Sequence, residues 1–542
     1  MTKNKEFTYN KKTSFITISQ ERIYFIFFIF FLISLIFSFK VISLGFKDLP
    51  EEKLISKKEN FRASIKDRNG NLLAKSVQIT NVGINPNLVI DKQKLLLSLK
   101  IIFPEKNIKK KLYGKKFFYL EKKISPEKLQ QVILLGDKSI IEEDSITRVY
   151  PNGRLFSHVL GQINTENEGI SGLEKAYDYE LTTSKKPLEL TLDTEIQYLI
   201  REELNKFQSV FKSYGSASIL MDINSGEILS MVSLPDFNLN LRKNINDPKY
   251  INRITKGVYE FGSVFKTLTV AAGLKYNVVN LNTKFVDLPK KIQCSGSSIS
   301  EYDKDIPKDL TVEDILIRSG NIGSVRIAQK VGIDNFKSFL EDLDLLKKIN
   351  FDLDEVGSPI PFNWGKCKLA TASFGHGITT TPIQLAKAYS IIANGGFDIN
   401  PHLVKKQSIK TKREVINKEI SKKIVRTLRK IVTTENGTAN LANIKGYEIG
   451  GKTGTAQKTI GGKYSNKKKI NTFASIFPSS NPKFALIVLL DEPQLSKDYV
   501  YTYNDSEEKK IIGTPFNTAG WTSVEVAARI IEKIGPILAI KY

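Results

Sequence analysis

The chain has 542 residues, 41% hydrophobic and 25% charged, with 81 Lys and Arg against 57 Asp and Glu and a formal net charge of +24. That length has room for about two to four domains and a large core. Its two cysteines exclude a disulfide framework and a four-cysteine zinc site, and no metal or cofactor is expected. A charge this positive fits nucleic acid, an anionic membrane surface or an acidic polymer. The bulk of the chain reads as exported, so the second and third are expected and a nucleic-acid partner is not. Cys294 and Cys367 either pair in an oxidising compartment or remain two buried thiols, and the sequence leaves both open.

Residues 1–22 are polar and carry Lys3, Lys5, Lys11, Lys12 and Arg22. Ile23 to Phe39 is uncharged and almost wholly apolar. A helix over that stretch spans roughly 25 Å, slightly short of a bilayer's hydrocarbon core. Extending it to Phe46, with Lys40 snorkelling, closes the gap. No small-residue cleavage pattern follows, so 23–46 reads as an uncleaved membrane anchor. The positive flank places 1–22 in the cytoplasm and everything after about residue 46 across the membrane.

Residues 47–60 are charged and read as a linker. Residues 61–190 mix short strand patterns, Val77–Val82 and Glu189–Leu192, with lysine-rich loops, and hold no catalytic constellation. The stretch 47–190 therefore reads as a non-catalytic pedestal. From 191 to 542 the pattern changes. Ala217–Asp222 and Glu227–Val232 read as strands joined by a turn at Ile223-Asn224-Ser225-Gly226. Helices fill the middle. Thr311-x-x-Asp314 and Thr381-Pro382-Ile383-Gln384 are helix starts, and Gly395-Gly396 is a helix end. Tyr447–Gln457, Thr472–Phe477 and Phe484–Leu490 read as strands, and Val524–Lys533 as a closing helix. Strands, then helices, then strands imply an α+β domain: an antiparallel sheet flanked by helices.

Three short motifs stand in order in this region: Ser263-Val264-Phe265-Lys266, Ser319-Gly320-Asn321 and Lys452-Thr453-Gly454-Thr455. Ser-x-x-Lys alone is common and recurs at Ser125, Ser209, Ser465, Ser480 and Ser506, while Lys-Thr-Gly occurs once. Only Ser263 follows a glycine, opens a helix-like run and precedes the other two motifs. A serine hydroxyl needs a base. Lys266, three residues on, shares a helical face with Ser263 and can serve once burial and the nearby cation Lys452 depress its pKa. Ser319 can relay a proton. Asn321 can hold a peptide backbone and orient Lys266. Lys452, Thr453 and Thr455 suit a terminal carboxylate, with Gly454 leaving room for a substrate strand. The three histidines, His158, His376 and His402, have no motif beside the serine, which argues against a Ser-His-Asp site.

On these motifs the chain resembles the penicillin-binding proteins, specifically the class B transpeptidases. Further blocks carry the resemblance: Arg62 to Ala74, Gly169 to Tyr177, Gly226-Glu227-Ile228 with Pro235, and Phe374-Gly375-His376-Gly377 running into Thr381–Leu385. Gly257-Val258-Tyr259-Glu260 and Asn321-Ile322-Gly323 resemble the septal, cell-division type; the elongation type usually has aspartate at the position of Asn321. Gly320 stands where septal enzymes usually have serine. The resemblance implies the penicillin-binding/β-lactamase-like fold and a pedestal or dimerisation domain. It implies attack by Ser263 on the D-Ala-D-Ala end of peptidoglycan stem peptides, an oxyanion hole from the N–H groups of Ser263 and Thr455, and covalent trapping by β-lactams. It also implies a membrane glycosyltransferase and divisome proteins as partners. The pedestal has no acidic signature of a glycosyltransferase of its own. Three alternatives stand: an elongation-type transpeptidase, a β-lactamase or carboxypeptidase-like hydrolase, and a non-enzymatic sensor or scaffold. No Glu-x-x-Leu-Asn word, which such a hydrolase would need, lies between the second and third motifs.

Overall fold

The computed structural model describes residues 7–9, 12–14, 20–46, 61–241, 247–294, 297–405, 413–502 and 510–542. The expected tail cations Lys3, Lys5 and Lys11, the linker 47–60 and Ser506 lie outside them. The chain divides into two compact units, residues 1–60 and 61–542.

The first unit holds α1 (Gln20–Phe46), whose stretch Ile23–Ser43 has a mean hydropathy of 2.7 and is wholly exposed. Its 27 residues make a rod of roughly 40 Å, long enough to cross a bilayer.

The second unit begins with a sheet of β1 (Ile65–Lys66), β2 (Leu72–Ile84), β3 (Phe118–Glu121), β4 (Ile140–Val149) and β5 (Leu188–Glu189). The strand order is β3-β2-β1-β5, with β4 also paired to β2. Against it, α2 (Lys92–Ile102) and α3 (Pro126–Ile133) bury Leu95, Leu99 and Val132 with Val82, Ile84 and Phe103 in a small separate core. The Val77–Val82 pattern proves to be the middle of a longer strand, because β2 pairs with β4 from Lys75↔Val149 to Ile84↔Ile140.

Buried charge ties this layer together. Arg62 Nε lies 2.9 Å from Glu174 Oε2, and Arg148 Nε lies 2.8 Å from Glu174 Oε1. The Tyr150 hydroxyl donates to the same carboxylate at 3.2 Å. Thus two blocks far apart in sequence, Arg62 to Ala74 and Gly169 to Tyr177, meet at one carboxylate.

The remainder is built on a five-stranded antiparallel sheet of β6 (Gly215–Asp222), β7 (Ile228–Leu234), β10 (Gly450–Ile460), β11 (Lys463–Phe477) and β12 (Phe484–Asp491), in the order β10-β11-β12-β6-β7. The first hairpin joins the last three strands through β12, from Phe484↔Asp222 to Asp491↔Gly215. Strands β7 and β12 are buried along their whole length and β6 along nearly all of its own, so they are apolar or small rather than alternating, up to the aspartates that end β6 and β12. Helix α4 (Thr194–Val210) and the final helix α11 (Ser523–Lys541) pack on each other and on these strands.

Between the two strand groups lie α5 (Phe265–Lys275), the hairpin β8 (Lys291–Cys294) and β9 (Ser297–Ser300), α6 (Val312–Ile317), α7 (Asn321–Val331), α8 (Lys366–Ala372), α9 (Pro382–Ala393) and α10 (Lys418–Thr433). Helices α6 and α9 start at the expected places, each with a complete capping box, Thr311 with Asp314 and Thr381 with Gln384. Helix α5 is buried from Phe265 to Leu274 and packs against α7 and α10. Cys294 and Cys367 form a disulfide that links β8 to α8, resolving the choice the sequence left open.

Candidate active site

Ser263 occupies a single 3-10 turn, Gly262–Val264, that runs directly into α5. The hydroxyl of Tyr389 pins the junction by donating to Val264 O at 2.9 Å. Three segments are pressed together here. Gly262 N–H donates to Gly375 O at 3.2 Å. A Cβ on Gly375 would lie 2.1 Å from Gly262 O, and one on Gly454 would lie 2.1 Å from Phe261 O. Glycine at 375 and 454 is therefore what lets the Phe374–Gly377 turn and strand β10 close on the serine turn.

Lys266 is 1% exposed on α5. Its Nζ lies 2.5 Å from Ser319 O, 2.7 Å from Asn321 Oδ1 and 3.1 Å from Ser319 Oγ. Burial pulls its pKa down to about 7, with the Glu301 carboxylate pulling the other way. A neutral amine has two N–H groups and one lone pair. Ser319 O and Asn321 Oδ1 can only accept, so they take the two protons. The lone pair is left for a hydroxyl, which is the geometry of a base.

Ser319 and Asn321 are aimed by their backbone. Ser319 has φ +60°, a left-handed conformation that turns its carbonyl towards Lys266. Asn321 opens α7, and its Nδ2 donates to Ser300 O at 2.8 Å, which fixes the amide with Oδ1 towards Lys266. At Gly320 an added Cβ would lie 3.2 Å from Ile306 Cδ1. A serine there would need the tip of the Ile306 side chain to give by a few tenths of an ångström.

Lys452 is fully buried in β10. Burial first, and repulsion from Lys266 second, hold its pKa well below the usual lysine range. The two buried lysines repel each other, and burial is the larger cause of the lowering at both. Thr453 Oγ1 lies 2.7 Å from Thr438 Oγ1, and Thr455 Oγ1 accepts from Ala519 N–H at 2.9 Å. Both hydroxyls are held by neighbours on the same strand as an amine that a carboxylate would turn into an ammonium.

All three motifs therefore converge on one place: Lys266, Ser319 and Asn321 by direct contact, Lys452 by its charge, and Gly454 by its approach to the serine turn. The rival Ser209 ends α4 with its hydroxyl on Asn205 O at 3.2 Å, an ordinary helix-end serine, and Ser125 caps α3. Three contributors escaped the sequence reading: Glu301, Thr438 and Tyr389. None of them belongs to a motif in the sequence. The role of Glu301 appears only when β9 is set against α7.

Residues 216–513 match the penicillin binding protein transpeptidase domain, and residues 57–209 match the penicillin-binding protein dimerisation domain. The chain is 28% identical over 501 residues to the probable peptidoglycan D,D-transpeptidase FtsI of Caulobacter vibrioides, covering 89% of this chain and 82% of that protein. It is 31% identical over 485 residues to stage V sporulation protein D of Bacillus subtilis, covering 80% and 74%. With the peptidoglycan D,D-transpeptidase FtsI of Escherichia coli the identity is 28% over 480 residues, covering 81% and 80%. The crystal structure of penicillin binding protein 3 from Mycobacterium tuberculosis has the same fold, with a TM-score of 0.66 and 20% identity over 88% of this chain and 96% of that one. With the three motifs gathered at one serine and both domain families matched in order, the chain belongs to the penicillin-binding protein transpeptidase family.

Proposed function

We propose that the chain is a septal-type peptidoglycan D,D-transpeptidase that works through an acyl-enzyme on Ser263. Lys266 takes the proton of Ser263 Oγ as that oxygen attacks the carbonyl between the two terminal D-alanines of a stem peptide. The negative charge that develops on the carbonyl oxygen falls at the N-terminus of the α5 turn. The C–N bond breaks, and the departing D-alanine amine takes a proton passed from Lys266 through Ser319 Oγ. An amine of a neighbouring stem peptide then attacks the ester. Its proton returns by the same route to Ser263 Oγ, and a cross-link is made. Asn321 aligns the donor backbone. Lys452, Thr453 and Thr455 grip the terminal carboxylate, whose charge favours the ammonium form of Lys452.

The observation that carries this reading is the buried Lys266 amine, with its protons committed to Ser319 and Asn321 and its pKa near neutrality. A β-lactam mimics the D-Ala-D-Ala end and forms the same ester. A solved relative, penicillin binding protein 3 from Mycobacterium tuberculosis, is recorded in complex with aztreonam. The FtsI-type relatives support the septal role over the elongation role. The apolar helix α1 supports an inner-membrane anchor at 23–46, with 1–22 cytoplasmic and the pedestal (47–190) and catalytic (191–542) regions on the periplasmic side. A membrane glycosyltransferase and divisome proteins are the expected partners, on the family resemblance.

The test is labelling with a fluorescent penicillin followed by peptide mapping. A stable adduct on Ser263, absent in Ser263→Ala, is the expected result. A label on another residue, or an adduct that turns over rapidly, would move the chain to another mechanism or to a hydrolase. Imaging at midcell rather than along the side wall checks the septal role.

A further inference from the structure

Asn321 is clamped from one side by a neighbouring pair of residues, Ser300 and Glu301, at the end of β9. Glu301 Oε2 accepts from Asn321 N–H at 2.6 Å, and Oε1 accepts from Ile322 N–H at 2.8 Å. Ser300 O accepts the side-chain amide of Asn321 at 2.8 Å. Glu301 thus occupies the N-terminus of α7, where two backbone N–H groups have no partner in the helix and a negative charge is stabilised. The position before Asn321 is a glycine, which supplies no capping side chain of its own. A carboxylate from 20 residues upstream takes that place. The hairpin that delivers it is held twice: by its own register, Lys291↔Ser300 to Cys294↔Ser297, and by the Cys294–Cys367 disulfide to α8.

We propose that Glu301 is a positioning residue of the acyl-transfer site, acting through Asn321 to fix the amine of Lys266. The inference rests on the functional reading above. The ionisable groups whose charge bears on Lys266 are Glu301 from the β9 side and Lys452 from β10. Ser319 and Asn321, from the turn into α7, are neutral. The carboxylate favours the ammonium, so it delays release of the lone pair as pH rises. Removing the charge frees the amine at lower pH.

The experiment measures the second-order rate of acylation by a fluorescent penicillin across pH, on the full chain in detergent, for wild type, Glu301→Ala and Glu301→Gln. Glu301→Ala slows acylation at pH 7 on the order of tenfold to a hundredfold, as expected when a reacting group is misplaced by about an ångström. Glu301→Gln keeps one acceptor and the shape but loses the charge, and the acid limb of its profile moves to lower pH. A merely structural cap would lower the melting temperature and leave that limb in place. An unmoved limb in Glu301→Gln overturns the proposal, whatever Glu301→Ala does. Absence of any Ser263 adduct in the wild type would instead overturn the functional reading, so the two failures are distinguishable.

Discussion

A lysine whose pKa is about 7 is half uncharged at neutral pH, without help from a histidine. The wild-type rate of acylation should therefore climb about tenfold per pH unit on the acid side and level off above roughly pH 7. Asn321→Asp sets a carboxylate where Oδ1 now lies 2.7 Å from Lys266 Nζ. That favours the ammonium and moves the limb to higher pH, opposite in sign to Glu301→Gln. A flat rate between roughly pH 5 and pH 8 in the wild type would contradict Lys266 as the base. The same residue affects stability. Its folded pKa lies below the ordinary 10.5, so the unfolded chain binds more protons between those values. The contribution of Lys266 to stability rises as pH rises from about 7, and melting temperatures of wild type against Lys266→Met should diverge in that sense.

At the scale of elements, what was legible in the sequence was what is written locally. Capping boxes at Thr311 and Thr381 announced α6 and α9, and the Ile223–Gly226 turn announced the first hairpin. Strand β4 was missed because its run Ile141–Asp144 is exposed and carries Glu142, Glu143 and Asp144, so it lacks the alternation of a half-buried strand. Helix α11 runs past the expected Lys533 to Lys541, through Pro536, because packing against α4 and the sheet outweighs one lost hydrogen bond. The three motifs were readable because a serine and a lysine three apart already share a helical face. The roles of Glu301 and of the cysteine pair were not, because each joins segments that meet only in three dimensions. The disulfide closes a sequence separation of 73 residues. On chain-entropy grounds its loss costs about 4 kcal/mol. The double variant Cys294→Ser with Cys367→Ser should melt lower than the oxidised wild type by calorimetry, and equal melting temperatures would show that the hairpin needs no staple.

Across the whole molecule, residues 61–542 form one compact unit that holds two hydrophobic cores, the small one around Leu99 and the large one around the second sheet. The pedestal layer depends on Glu174, buried with Arg62 and Arg148 on its two oxygens. Glu174→Ala leaves two guanidinium groups buried without that partner and should cost about 3–5 kcal/mol. Denaturant unfolding followed alongside Ser263 labelling would separate loss of the pedestal from loss of the site. A last consequence follows from the order of the large sheet. Strand β10 is outermost, so a peptide laid along it would be held chiefly by main-chain groups. Main-chain groups are alike in every amino acid. Such a seat tolerates varied chemistry along the incoming chain and concentrates its selectivity on the chain's final residue, where Lys452, Thr453 and Thr455 stand.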